Sequence, residues 1–372
     1  MIYLDHAATT RPESAVIEAM IPFLSDNYMN PSAFYQPAVK TRMQVEKARR
    51  NIAEFINAPY DSIIFTSGGT ESDNFAIRMG VQSLSDKGRH IITTSIEHPA
   101  VLNTARYMEE QGYEVTYLTV DKTGLIDLEM LENSIRDDTV LISIMHANNE
   151  IGTVMPIKEI GEIAKRHNVL FHTDAVQTFG HLEIDVEACN IDLLSASAHK
   201  LYGPKGIGLL YIRNRKAFSK LMFGGSQELG LRPGTENVAD IIGFDKAVEI
   251  AKERIKDDYA KENSLRDMLK KGILEVVPGA VINGNDNYHL PGTLNVTFPS
   301  ASSETMLIRL DQCGICASAG SACSAGAIEA SHVLTAIGKD NDEARRTLRF
   351  SIGRENSEDD IIKTIEVISS FK

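Results

Sequence analysis

Between positions 63 and 212 the chain returns again and again to short apolar, β-rich runs separated by stretches with helical patterning. The runs are Ile63 to Phe65, His90 to Thr94, Thr139 to Met145, Val169 to Asp174, Ile191 to Ala196 and Gly208 to Ile212. A strand with one wetted face alternates polar and apolar residues, whereas Val140-Leu141-Ile142-Ser143-Ile144 is nearly continuous and must be covered on both faces. Such strands alternating with helices predict an α/β fold with a mostly parallel central sheet wrapped by helices. Sheets of that kind bind ligands at the carboxyl ends of their strands, so the loops that follow these runs carry the search for function.

From about Val238 to Lys271 the pattern becomes helical and highly charged, which predicts a long connecting helix with one solvated face. Beyond it, Thr293 to Phe298, Ile315 to Ala317 and Thr347 to Ile352 read as short strands, and an amphipathic helix closes the chain from about Glu358. A smaller α+β domain is expected, made of residues 1–14 and 256–372 beside a larger domain of residues 15–255. The net charge of -13 disfavours direct nucleic-acid or anionic-membrane binding, because phosphate backbones require a basic surface. No apolar run approaches the roughly 18 residues of a spanning helix. The first ten residues include Asp5 and His6 instead of a basic then apolar leader, so a cytoplasmic protein is expected.

Five loop segments carry chemistry. Ser197-Ala198-His199-Lys200 follows a strand and sets side-chain donors beside an amine, which suits a phosphate held next to a lysine that condenses with an aldehyde. Thr66-Ser67-Gly68-Gly69-Thr70 runs from a strand through paired glycines into a helix start, the geometry of a phosphate cradle. Asp174 ends a buried strand with Gln177 one helical turn later, and a carboxylate there needs a partner such as a protonated ring nitrogen. Glu97-His98-Pro99 offers an imidazole as a stacking plate and proton carrier, and Asn148-Asn149 offers two carboxamides. Taken singly, each segment has a plainer explanation: a solvated lysine, a helix cap, a structural histidine, a turn. All five nevertheless fall at predicted strand ends, where one pocket collects them.

Three of the four cysteines crowd together as Cys313, Cys316 and Cys323. With His332 they admit a metal site, but Cys313-Gly314-Ile315-Cys316 runs into a strand and no fourth cysteine lies nearby, so none is expected. The stretch Ala317 to Ala327 holds only small residues around Cys323 and predicts a mobile loop.

These segments, in this order, resemble the cysteine desulfurases of the NifS/IscS type, within the class V aminotransferase-like enzymes that use pyridoxal 5'-phosphate. The likeness begins at Tyr3-Leu4-Asp5-His6-Ala7-Ala8-Thr9-Thr10, passes through Asn30-Pro31-Ser32 and the five loops, and continues beyond them. It implies fold type I, the aspartate aminotransferase-like architecture. It implies Lys200 as the lysine that holds the cofactor, Asp174 as the ring-nitrogen partner, Gln177 and Asn149 at the ring oxygen, and His98 as a stacked acid/base. Gly69, Thr70, Ser197 and His199 would hold the phosphate. Arg232-Pro233-Gly234-Thr235 matches the motif that reaches across to a neighbouring subunit, which nominates Thr235 and implies a homodimer. The substrate carboxylate of L-cysteine would meet Arg349, helped by Asn30, with Arg354 as the fallback.

Cys323 would take the substrate sulfur as a persulfide, leaving L-alanine, and pass it to a sulfur-acceptor protein for iron–sulfur cluster assembly or tRNA thiolation. An ordinary thiol, with a pKa of about 8.5, needs help to ionise at neutral pH, for which His98 is the candidate. Phe34-Tyr35 replaces a histidine common in the family, and Pro233 replaces a smaller residue. The sequence stops soon after its closing helix, where housekeeping members continue into a tail, and this leaves the acceptor open. Selenocysteine lyase and aminotransferase activity on the same scaffold are the alternatives.

Overall fold

The computed structural model describes residues 1–218, 220–319 and 330–370. Among them three sheets form. The strands are β1 (Ile2–Tyr3), β2 (Ile63–Thr66), β3 (His90–Thr94), β4 (Glu114–Leu118), β5 (Thr139–Ser143), β6 (Leu170–Asp174), β7 (Leu193–Ser197), β8 (Gly208–Ile212), β9 (Val281–Asn283), β10 (Thr293–Thr297), β11 (Ile315–Cys316) and β12 (Thr347–Ser351). The main sheet has the order β2-β8-β7-β6-β5-β3-β4. Every pairing from β7 to β4 is parallel, and β8 runs antiparallel to both β7 and β2. It follows that β2 points the same way as β7, so the loops after β2, β3, β5, β6 and β7 leave from one edge.

The continuous apolar runs are buried on both faces as expected. One apolar core gathers Ile63, Ile142, Phe171, Leu194 and Leu209 with residues of the helix Gln36–Phe55, and the other gathers Ile64, Leu141, Leu193 and Leu210 under the helix Gly69–Ser83. The architecture is that of fold type I. Sequence patterning missed β4, whose residues are mostly half-buried at the sheet edge, and the short β1 and β9.

The long helix is observed as Val238–Val276. Its first half packs Phe244, Ala247 and Val248 into the main core, and its second half packs Leu265, Leu269 and Ile273 into a separate core with Leu294, Leu348 and Phe350. That second core lies on the antiparallel sheet β12-β10-β9. The remaining sheet joins the start of the chain to its later part, with Tyr3 opposite Cys316 in the parallel β1–β11 pair.

Candidate active site

The N-terminal segment Asp5–Thr10 stitches the two cores together at the loop-bearing edge. Lys200 Nζ donates to the carbonyl oxygens of Ala7 at 2.5 Å and Ala8 at 2.8 Å. Gln177 Nε2 donates to the same Ala7 oxygen at 3.1 Å, and His199 Nδ1 lies 3.1 Å from Thr9 Oγ1. On the other side of the segment, Asp5 Oδ1 accepts from Arg349 Nη2 at 2.7 Å. Arg349 is only 2% exposed, and its Nη1 donates to the Asn149 carbonyl oxygen at 2.8 Å. Lys200, Gln177, His199 and Arg349, and Asn149 through Arg349, are therefore linked by a segment to which sequence reasoning gave no role.

Asp174 sits at the end of β6, where its Oδ1 accepts from the Val176 amide at 2.9 Å. Burial pushes its carboxyl up, while the charges of His98 and Lys200 pull it down. Beneath it lies a polar layer. His172 bridges Ser143 Oγ at 2.8 Å and Ser195 Oγ at 3.0 Å, and Asp73 Oδ1 is 3.7 Å from its Nε2. Burial lowers His172 to about 3, so its ring is neutral, while burial together with the Asp174 charge raises the Asp73 carboxyl well above its ordinary value. Burial also lifts Glu97 to about 8 against hydrogen bonds from Thr94 Oγ1 and the Met145 amide.

His98 caps the helix Pro99–Glu110, its Nδ1 accepting from the Ala100 amide at 3.1 Å. Burial lowers its pKa, with the Asp174 charge opposing and those of Lys200 and His332 reinforcing. With Nδ1 accepting, the proton of an uncharged ring lies on Nε2, the nitrogen left to act. Asn148 is taken by its turn: Nδ2 donates to the Ile96 carbonyl and Oδ1 accepts from Glu150 and Ile151. Of the two carboxamides, Asn149 is the one not held by that turn.

The donor set fits the phosphate cofactor. The helix Gly69–Ser83 begins without a side-chain cap, leaving its first amides for an anion. A Cβ on Gly69 would come within 2.6 Å of Val176 Cγ2, so glycine lets the loop after β2 close onto the loop after β6. Ser197 Oγ lies against Gly68 from the third side, and burial keeps the His199 imidazole down at about 4, neutral beside an anion. Thr70 is exposed next to it and lines an open groove with His98 and Arg78.

Three predicted residues are not gathered in. Thr235 is exposed, although Arg232 of its motif ties to Glu71 on the helix Gly69–Ser83 at 2.9 Å. Asn30 is exposed and accepts from the Ser32 amide at 2.9 Å instead of assisting Arg349. Arg354 is committed elsewhere, paired to Glu13 and Asp258 at 2.8 Å each and stacked over Tyr202. Cys323 and residues 320–329 around it lie outside the described residues. The described residues on either side do reach the pocket: Ser318 pairs with the Arg349 backbone, Ser331 Oγ donates to Glu150 at 2.6 Å, and His332 Nε2 lies 2.9 Å from the Glu97 carbonyl oxygen.

Comparison with known proteins places this geometry. Residues 2–363 match the family Aminotransferase class-V. A cysteine desulfurase IscS of Clostridium botulinum is 47% identical over 369 residues, covering 99% of this chain and 93% of the relative. A solved NifS-like protein superposes with a TM-score of 0.93 at 37% identity, covering 99% of this chain and 98% of its own. A structure described as SspA in complex with cysteine superposes with a TM-score of 0.84 at 42% identity, covering 96% of this chain and 100% of its own.

Proposed function

The chain belongs to the aminotransferase class-V family and to its cysteine desulfurases, and from that premise we propose that it moves sulfur from L-cysteine onto its own Cys323 and releases L-alanine. The cofactor is pyridoxal 5'-phosphate, which when bound supplies the sink for electrons released at the substrate Cα. The observation that carries the site assignment is the backbone pairing of Arg349 with Ser318, because the segment leading to Cys323 departs beside the arginine of the cofactor pocket.

Each residue then has a task. Asp174 would hold a proton on the cofactor ring nitrogen, Gln177 and Asn149 would meet the ring oxygen, and Gly69, Thr70, Ser197 and His199 would hold the phosphate. Arg349 receives the substrate carboxylate on its guanidinium fork, with Asn30 assisting. Lys200 takes the Cα proton at Nζ, and neutral His98 covers the site and donates from Nε2. The Cys323 thiolate attacks the substrate sulfur; the new S–S bond forms as the Cβ–S bond breaks, and Cβ takes a proton to become the methyl group of alanine.

A homodimer completes the phosphate site with the partner subunit's Thr235. Support comes from apolar side chains that a single chain leaves in water, Phe34 at 93% and Phe223 at 87% exposure, and from the exposure of Thr235 itself. The persulfide passes to an acceptor protein for iron–sulfur assembly or tRNA thiolation. The setting is cytoplasmic, and among the described residues no helix is long and apolar enough to cross a membrane.

The test is to incubate the purified, cofactor-loaded protein with L-cysteine and a reductant and to assay alanine and sulfide together. Equal amounts of both, lost in Lys200→Ala and in Cys323→Ala, are expected. An oxo-acid-dependent product without sulfide would replace the desulfurase with an aminotransferase, and full sulfide release by Cys323→Ala would remove that cysteine from the reaction.

A further inference from the structure

Between Lys200 and the second core lies a polar recess that none of these steps uses. It is lined by His6, Gln177, His181, Lys200, Glu262 and Ser351 and has about 30 Å³ of room, enough for a water molecule. Glu262, on the long helix, is 3% exposed, and its Oε1 has no hydrogen-bond partner among the described residues. Buried His6 stands in the same wall, with the Tyr3 backbone and the Asn356 side chain as hydrogen-bonding neighbours of its ring. Buried polar atoms without partners signal an occupant that can both donate and accept, and water is the one that fits. His181 Nε2 fixes the wall by donating to the Lys200 carbonyl oxygen at 2.8 Å.

We propose that Glu262 and a water in this recess form a proton relay to Lys200, with Glu262 as a positioning residue that stores the proton while Lys200 serves as base. The proposal rests on the desulfurase reading, in which Lys200 must alternate between ammonium and amine. In the forward step an N–H bond of the Lys200 ammonium breaks and its proton passes to the water, which hands one of its own to Glu262 Oε1. Lys200 is left as amine and Glu262 as carboxylic acid, and the reverse step restores both.

The surroundings suit a carboxyl that both gives and takes. On its own helix Glu262 faces Asp258 and Lys261; from the other elements it faces Tyr202, Arg354, His6, His181 and Lys200. Arg354 is already paired by Asp258 and Glu13, so it does not hold Glu262 as a fixed anion. The Tyr202 hydroxyl accepts from the Arg354 amide at 2.8 Å, which leaves its own proton for Glu262. Burial, reinforced by Asp258, lifts Glu262 to about 8, and burial takes His6 down to about 4, so the water meets a neutral imidazole.

Two measurements on cofactor-loaded protein test this. Infrared difference titration without substrate should show protonated-carboxyl absorption from Glu262 and Glu97 that disappears near pH 8, and Glu262→Gln should remove the Glu262 share and leave that of Glu97. The pH profile of kcat for alanine formation should show an inflection near the same pH, lost in Glu262→Gln together with about a tenfold fall in kcat and no change in KM. Glu262→Asp, which keeps a carboxyl, should retain the inflection and guards against a folding defect in the glutamine variant. Carboxyl absorption of undiminished size together with an unchanged inflection in Glu262→Gln would overturn the relay. A wild-type chain that makes no alanine would instead overturn the desulfurase reading, while the infrared titration would still decide the state of Glu262.

Discussion

Under Lys200 the pocket is closed and prearranged: Asp73, Asp174, His172 and Glu97 are all buried, and hydrogen bonds within the chain hold Asp174, His172 and Glu97. At its outer margin Thr70, Thr235 and Asn30 are exposed, and no contact draws the last two toward Lys200. The contrast separates two ways of making a site. Below, desolvation sets the protonation of groups that never leave their places, so the field at the cofactor exists before it binds. Above, groups wait for substrate or for a second chain to complete them.

The largest expected effects fall in the lower layer. Lys200→Ala should lower single-turnover alanine formation by at least about 10³-fold, and Asp174→Asn by about 10²-fold or more. Asp73→Asn is the sharper variant. Because burial and the Asp174 charge both favour the protonated form of Asp73, an isosteric amide should leave the rate within about threefold, a barrier change of under about 1 kcal/mol. A loss as large as that of Asp174→Asn would show that Asp73 is ionised and that the lower layer carries two charges.

A middle-sized effect separates the two buried arginines. Arg349 has one carboxylate and one carbonyl partner and lies where the segment to Cys323 departs, whereas Arg354 has two carboxylates and a tyrosine ring. Loss of a bidentate contact to a charged group is worth about 1.5–3 kcal/mol. Arg349→Lys should therefore raise KM for L-cysteine by roughly 10- to 100-fold at nearly unchanged melting temperature, and Arg354→Lys should lower the melting temperature at unchanged KM. The opposite pattern would exchange their roles.

The same division governs what could be read in the sequence. The runs that became β3, β5, β6, β7 and β8 were legible because burial on both faces leaves an unbroken apolar signature. The edge strand β4 was not, since Glu114, Thr116 and Tyr117 interrupt any run. Nor could a pattern of apolar residues say that β8 alone runs antiparallel. Among the site residues, Lys200, Asp174 and the glycine turn stand at strand ends and announce themselves. Asp73 lies in Ser72-Asp73-Asn74, which reads as a solvated helix face until the sheet covers it. Asp5, Ala7 and Ala8 act through contacts spanning most of the chain, and Glu262 lies in a highly charged helix, so nothing local marks them.

A further, modest effect tests whether the outer margin is finished by a second chain. Thr235→Ala should weaken cofactor retention and slow alanine formation by about tenfold, the size of one lost hydrogen bond to a charged group. Mixing resolves whose site the threonine serves. A dimer of one Lys200→Ala chain and one Thr235→Ala chain has, if Thr235 crosses the interface, one site with its own Lys200 and an intact threonine from the partner. That mixed dimer should regain about half the wild-type rate, although neither parent variant approaches it. If Thr235 serves its own chain, the only site with a lysine lacks the threonine, and the mixture should stay near the average of its parents.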